Sequence, residues 1–220
     1  MVLYIFLALL LAYIIGSIPS GLIIVKLSTG KDIRSVESGR TGGTNAMRAA
    51  GIWAGLATAI LDVLKGVSAV FVSHLLVPGV HVWLEVLAPF LAIIGHNYSV
   101  FLIERKETGW LRFRGGAGGA TCLGGSIGLW FPSVLIILPV CGLIYYFGGY
   151  ASVTTLSVAL LSTLIFAYRA WMGFGPWQYA VYGLLSFCAL ALALRPNIQR
   201  LINGTERVVG LRAKKRRPSL

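Results

Sequence analysis

Residues 16–48, GSIPSGLIIVKLSTGKDIRSVESGRTGGTNAMR, begin inside a long apolar run, leave it at Lys26 and become a loop rich in glycine, hydroxyls and cations. Ser38, Thr44, Asn45 and Arg48 crowd hydrogen-bonding groups and a positive charge beside several glycines, which let backbone N–H groups approach an anion closely. Such chemistry suits a phosphate. Arg48 follows Asn45 by three residues near an expected helix start, where a guanidinium fork and free N–H groups both bind phosphate oxygens. No His or carboxylate stands at obvious spacing from Ser38, so this serine reads as a ligand more readily than as a nucleophile. Upstream, Pro19 lacks a backbone donor and clashes with the preceding turn, so the helix is expected to kink or break there, either as a plain bend or as a bend that shapes a site.

Outward from this stretch the chain is apolar. Hydrophobic residues make up 57% of its 220 positions, charged residues 12%, and mean hydropathy is +0.81, too few polar side chains to cover a water-soluble globule. The expected fold class is all-α, a polytopic integral membrane protein. A span takes roughly 20 apolar residues, and the runs 2–27, 52–77, 83–103, 117–131, 133–147, 151–170 and 177–193 give about seven transmembrane helices. The fourth and fifth are short and must turn tightly at Trp130, Phe131 and Pro132; six spans with one bent hairpin is the alternative.

The net charge of +12 is unevenly placed. Lys31, Arg34, Arg40 and Arg48 fall in the first loop, Arg105, Lys106, Arg112 and Arg114 in the third, and Arg195 to Arg217 in the tail, whereas the loops at 78–82 and around Pro132 hold no Lys or Arg. The positive-inside rule then makes the C-terminus cytoplasmic and, with an odd number of spans, puts the N-terminus outside. Cations that flank membrane segments argue against nucleic acid as a partner, and the Lys214–Arg217 cluster suits anionic headgroups of membrane lipids. Cys122, Cys141 and Cys188 lie in apolar runs without paired spacing and read as small buried hydrophobes. The first segment has no positive n-region and no clear cleavage site, so it reads as a retained span.

Further chemistry-bearing residues recur along the chain. Asp62 and Lys65 stand three apart on one face of the second span, where ionisable groups must pair with each other or face a polar cavity. His96 closes the third span, as an interfacial residue or a weak acid–base candidate. Gly115, Gly116, Gly118 and Gly119 precede an apolar helix; they serve either close helix packing or a cradle of free N–H groups for an anion. Ser152 opens the sixth span, where a serine is also an ordinary cap. No nucleotide loop, zinc pattern or flavin motif occurs, so no cofactor and no metal are expected. The His-x4-Asp arrangement of many glycerolipid acyltransferases is absent too, since positions 79, 86 and 101 are Gly, Val and Phe.

Five ordered blocks covering nearly the whole chain resemble the PlsY family, bacterial acyltransferases that move an acyl group from acyl phosphate to glycerol 3-phosphate. The family forms GSIPxG and GSGNxGATNxxR are similar to residues 16–21 and 37–48, and DxxKG to Asp62–Gly66. GHxxxxF followed by FKGGKGVAT resembles Gly95–Phe101 and Phe113–Thr121, GYxS resembles Gly149–Ser152, and HRxNIxRLxxGxE resembles residues 194–206. Departures are Arg40 for Asn, Arg114 for the first Lys, Ala117 for the second, Leu194 for the His, and about ten extra residues at 103–112. Arg40 or Arg112 is expected to supply the charge missing at Ala117. The resemblance implies one transmembrane acyltransferase-like domain over 1–220 with a basic tail at 211–220, in the bacterial inner membrane with its site on the cytoplasmic side. It implies Ser38, Arg48, Ser152 and Asn197 as catalytic, and Thr44, Asn45, Arg114, Gly115, Gly116, Gly118 and Arg195 as substrate- or phosphate-binding, with Arg40, Lys65 and His96 as further candidates. The implied product is lysophosphatidic acid. Rival readings are a carrier for small phosphorylated anions and a family member that binds lipid phosphates without turnover, the latter motivated by Ala117 and Leu194.

Overall fold

The computed structural model describes residues 1–79, 81–105 and 109–216, with side chains through Ala213 at the C-terminal end. Lys106, Arg217 and the side chains of the cluster beginning at Lys214 lie outside the described residues. Helices α1 (Val2–Ser17) and α2 (Ser20–Thr29) share the first apolar run, and a short amphipathic α3 (Gly43–Ala50) leads into α4 (Ile52–Leu76) and α5 (Val82–Asn97). A hairpin of β1 (Ile103–Arg105) and β2 (Leu111–Phe113) precedes α6 (Gly119–Leu129), α7 (Val134–Leu143), α8 (Ala151–Trp171), α9 (Gln178–Ala193), α10 (Arg195–Ile202) and α11 (Gly210–Arg216).

The all-α membrane architecture expected from composition is present, with one addition and one change of count. The extra residues form an antiparallel pair in which Ile103 faces Phe113 and Glu104 faces Arg112. Five helical stretches among the described residues are long and apolar enough to cross a bilayer: Val2–Thr29, Ile52–Leu76, Val82–Leu102, Phe131–Gly148 and Ala151–Trp171. A sixth arises if α9 and α10, bent by 70°, count together. The expected span over 117–131 instead becomes the 11-residue α6, about 16 Å at 1.5 Å per residue, against a hydrocarbon core of about 30 Å. Gly118, with φ +81°, stops it at one end, and extended Trp130, with φ −159°, stops it before Pro132 at the other. Cys122 and Cys141 are buried as expected, whereas Cys188 is exposed on the outside of α9. A spanning helix can leave an apolar thiol on its outer face because lipid, unlike water, does not penalise it.

Small residues set the helix crossings. A Cβ on Gly66 of α4 would strike the Thr121 carbonyl of α6, one on Gly124 of α6 would strike the Val63 carbonyl of α4, and Gly16 and Gly95 play the same reciprocal part between α1 and α5. Behind these crossings Ile93, Cys122, Val158, Phe166, Tyr182 and Leu190 form the main apolar cluster. The buried Tyr182 hydroxyl donates to the Cys122 carbonyl at 2.8 Å.

The first run does break at Pro19, between Ser17 and Ser20. A break within a membrane leaves carbonyls that need partners. Here the Ser99 hydroxyl donates to the Ser17 carbonyl at 2.5 Å, and the Lys65 ammonium donates to the Ile18 carbonyl at 2.5 Å. Lys65 also holds Asp62 at 2.6 Å, the intrahelical pair that the three-residue spacing allows. Gly66→Val is expected to force α4 from α6 and to lower stability by about 1–3 kcal/mol. Thermal unfolding in detergent, with the exposed Leu64→Ala variant as the near-neutral control, measures it.

Candidate active site

The loop after α2 is built by its own polar side chains. Asp32 Oδ1 accepts from the Arg34 backbone N–H at 2.8 Å, and Arg34 Nη2 meets Asp32 Oδ2 at 2.7 Å. These hydrogen bonds from Arg34 hold the Asp32 carboxyl down to about 2 from its ordinary 3.8. Arg34 Nη1 reaches Glu104 Oε1 at 3.2 Å, and Glu104 Oε2 takes Arg114 Nε at 2.6 Å, so one carboxylate clamps the hairpin to both glycine-rich loops. Buried Asn45 donates Nδ2 to the carbonyls of Ile33, Val36 and Arg40 at 3.2, 3.0 and 2.8 Å, which folds the loop over the start of α3. Its Nδ2 is thereby engaged with the loop, and its Oδ1 has no protein partner.

A cavity of about 330 Å³ opens under this loop. Its wall takes residues from the first turns of four helices: Gly43 and Thr44 of α3, Gly119 and Ala120 of α6, Ala151 and Ser152 of α8, and Asn197 of α10. The free N–H ends of helices carry partial positive charge, so the cavity is electropositive before any side chain is counted. Ser38, Arg40, Asn45, Arg48, His96 and Gly118 complete the expected residues in this wall. Arg48 has no hydrogen bond or ion pair among the described residues, which leaves its fork for a ligand. Ser152 Oγ and Asn197 Oδ1 are buried without partners, while Asn197 Nδ2 donates to Glu206 Oε1 at 2.8 Å. Glu206 fixes which end of the Asn197 amide is left over.

The remaining expected residues do not all join them. Arg114, Gly115, Gly116 and Arg195 line a second cavity of about 510 Å³, which among the described residues shares only Ser38 and Arg40 with the first. Arg40 stands between the two, with Nη1 donating to the Gly116 carbonyl at 3.2 Å and Nη2 to the Ala193 carbonyl. Burial pushes the Arg40 guanidinium down from its ordinary value, and nearby Arg200 adds to this. Lys65 reaches neither cavity, since its ammonium is taken by Asp62 and Ile18. His96 Nδ1 stands 3.6 Å from Asp62 Oδ1, and Gly116 lies so close to its Nε2 that a Cβ there would collide, which leaves the imidazole little access to substrate.

The family described as glycerol-3-phosphate acyltransferase matches residues 6–204. This chain belongs to that family. A glycerol-3-phosphate acyltransferase 2 of Moorella thermoacetica is 35% identical, with 94% of this chain and 98% of the relative aligned. A glycerol-3-phosphate acyltransferase 3 of Dehalococcoides mccartyi is 36% identical over 91% and 94%. Crystal structures of PlsY, an integral membrane glycerol 3-phosphate acyltransferase, superpose in a glycerol 3-phosphate form with TM-score 0.80 at 28% identity, covering 97% of this chain and 99% of that one, and in a lysophosphatidic acid form with TM-score 0.76 at 27%, covering 94% and 95%.

Within a glycerol-3-phosphate acyltransferase, the departures at Ala117 and Leu194 gain a location: both line the first cavity, Leu194 as a buried apolar wall. Arg40 lines it as well and is held by the carbonyl next to Ala117. Asp62, expected to pair with Lys65 or face a polar cavity, does both, whereas sequence reading missed Thr155, Tyr145 and Arg207 as wall residues. Thr155 was findable, three residues after Ser152 on one helix face; Tyr145 sits in an apolar aromatic run that gives no signal. Arg207 reaches the site because its Nε pairs with Glu37 Oε2 at 2.8 Å, a contact 170 positions apart in the chain.

Because Asp32 is depressed in the folded chain, its stabilising contribution is fully present above 3.8 and is lost as pH falls toward about 2. The melting temperature of the wild type minus that of Asp32→Asn is expected to be constant above about pH 4 and to shrink between about pH 4 and 2. Asn45→Leu is expected to cost about 1–3 kcal/mol through the three carbonyls it abandons. Faster proteolytic nicking of residues 33–40 is the readout.

Proposed function

We propose that this chain transfers a fatty acyl group from acyl phosphate to glycerol 3-phosphate, giving lysophosphatidic acid and inorganic phosphate, at the cytoplasmic face of a bacterial inner membrane. The observation that carries this reading is the convergence of four helix first turns and the unpaired Arg48 on one cavity, in a chain of the glycerol-3-phosphate acyltransferase family. The naming of relatives and the two liganded forms of PlsY support the substrate and the product. The Lys- and Arg-rich first and third loops support the cytoplasmic side.

In this reading Arg48 neutralises the phosphate of glycerol 3-phosphate, with Ser38 and Thr44 as further ligands. Asn45 shapes the loop that carries them. Ser152 Oγ and Asn197 Oδ1 accept hydrogen bonds from the glycerol hydroxyl and aim its oxygen at the acyl carbonyl. That oxygen bonds to the carbonyl carbon, the bond from this carbon to the phosphate oxygen breaks, and the hydroxyl proton leaves on the released phosphate. No protein base is required. The N–H groups at Gly118 and Gly119 and the Arg40 guanidinium stabilise charge that grows on the donor phosphate. Acyl chains lie between the helices, where apolar walls receive them without dehydration cost.

The buried Leu194 in the cavity wall favours one other reading, in which the chain binds both phosphates without turnover. Purified protein supplied with acyl phosphate and glycerol 3-phosphate separates the two, and lysophosphatidic acid is the expected product. Arg48→Ala is expected to reduce kcat/KM on the order of 10²–10³-fold, as does loss of one preorganised charge-stabilising donor elsewhere. Arg40→Ala is expected to raise KM for acyl phosphate by about tenfold, one charge-assisted hydrogen bond, with Arg40→Lys intermediate. No product from the wild type favours binding alone.

A further inference from the structure

In the loop over the first cavity the Gly39 N–H donates to the Val36 carbonyl at 2.9 Å, which closes a turn with Glu37 and Ser38 at its centre. Glu37 has φ +48° and is the one non-glycine with positive φ among the described residues. A left-handed residue at the first central position of a turn favours glycine, because a Cβ there crowds the backbone, and the family form similar to residues 37–48 opens with glycine. The handedness at Glu37 decides the direction in which the chain carries Ser38. A strained residue of this kind persists only where its surroundings fix it.

Arg207 fixes it from a distant part of the chain. Its Nε meets Glu37 Oε2 at 2.8 Å and its Nη2 donates to the Glu37 carbonyl at 3.2 Å. An exposed ion pair by itself holds little, but one guanidinium that grips both the side chain and the main chain of a single residue also restrains that residue's backbone. The grip is firm only if Arg207 is itself anchored. On one side of it Glu206 is buried, and its Oε1 accepts from Asn197 Nδ2 at 2.8 Å. On the other, Val208 pairs with Tyr150 in an antiparallel bridge, the Val209 N–H donates to the Gly149 carbonyl at 2.9 Å, and Arg212 Nη1 donates to the Tyr150 hydroxyl at 3.0 Å. Residues 206–212 thus form a strap from α10 to the start of α8, passing at Gly210 so close that a Cβ would strike the Tyr145 and Tyr146 carbonyls. The strap follows residue 204, where the family match ends.

We propose that this strap positions the groups of the first cavity and that Arg207 is a positioning residue, which holds Glu37 left-handed and so presents Ser38 to the phosphate of glycerol 3-phosphate. Glu206 ties the strap to Asn197, and Tyr150, two residues before Ser152, ties it to α8. The proposal rests on the reading of the first cavity as a glycerol 3-phosphate site. Arg207 lines that cavity, but unlike Arg48 it has its fork occupied, by Glu37.

Equilibrium binding of glycerol 3-phosphate to the purified full chain in nanodiscs tests it without requiring turnover. Arg207→Ala and Glu37→Ala, both at exposed positions, are each expected to weaken binding about tenfold, the loss of one charge-assisted hydrogen bond, with Arg207→Lys intermediate. Glu37→Gly is expected to bind within about twofold of the wild type, since glycine takes positive φ without a clasp. In that background Arg207→Ala is expected to cost less than about twofold, the non-additivity of two residues that act as one unit. In the acyl-transfer assay Arg207→Ala is expected to raise KM for glycerol 3-phosphate and to leave kcat and the KM for acyl phosphate near their wild-type values. A loss on Arg207→Ala that persists in full beside Glu37→Gly makes Arg207 a direct ligand and overturns the proposal, as does wild-type affinity in Arg207→Ala. The expected pattern of binding with no lysophosphatidic acid formed overturns acyl transfer and leaves the strap standing, whereas a wild type that binds no glycerol 3-phosphate overturns both.

Discussion

The position of Lys65 constrains everything around it. Its ammonium is almost fully buried and is shared between the Asp62 carboxylate and a carbonyl released by the break at Pro19. Such a charge is tolerated inside a membrane protein only when every hydrogen-bonding direction is answered. Satisfying it fixes α4 against the broken first span, and Asp62 in turn faces His96 of α5. Three spans meet there, and the first cavity opens directly beside the junction, with Asp62 and His96 in its wall. A residue that looked like a candidate for binding substrate is the post on which the site is hung.

Helix ends, more than side chains, make the site. Four first turns point at one space, so partial charges fixed by the backbone provide a field that needs no reorganisation when a phosphate arrives. This tolerates departures that would be severe in a site built from a few ionisable groups. Ala117 removes a cation and Leu194 removes an imidazole, yet both substitutions leave the backbone donors in place.

Arg40 joins what the sequence treats as separate blocks. It lies in the first loop, yet its guanidinium is held by a carbonyl of the glycine-rich loop and by one at the end of α9. It forms the partition between two electropositive cavities, and its burial beside Arg200 makes its charge expensive to leave uncompensated. The hairpin at 103–113 contributes to the same assembly, since Glu104 bridges Arg34 and Arg114.

Composition and periodicity were enough to establish a helical membrane protein, the break at Pro19 and the Asp62–Lys65 pair, because each follows from local rules: apolar length, a missing donor, and residues three apart on one helix face. The ordered motifs likewise pointed to Ser38, Arg48, Ser152 and Asn197, which do meet at one cavity. Local rules did not reveal that α6 is only 11 residues long, which depends on the conformations of Gly118 and Trp130. They did not separate Arg114, Gly115, Gly116 and Arg195 from the first cavity, bring Arg207 to Glu37, or make Asn45 a fastener of its own loop. Those outcomes depend on which carbonyls and carboxylates a side chain finds across the fold, and only packing of distant segments decides that.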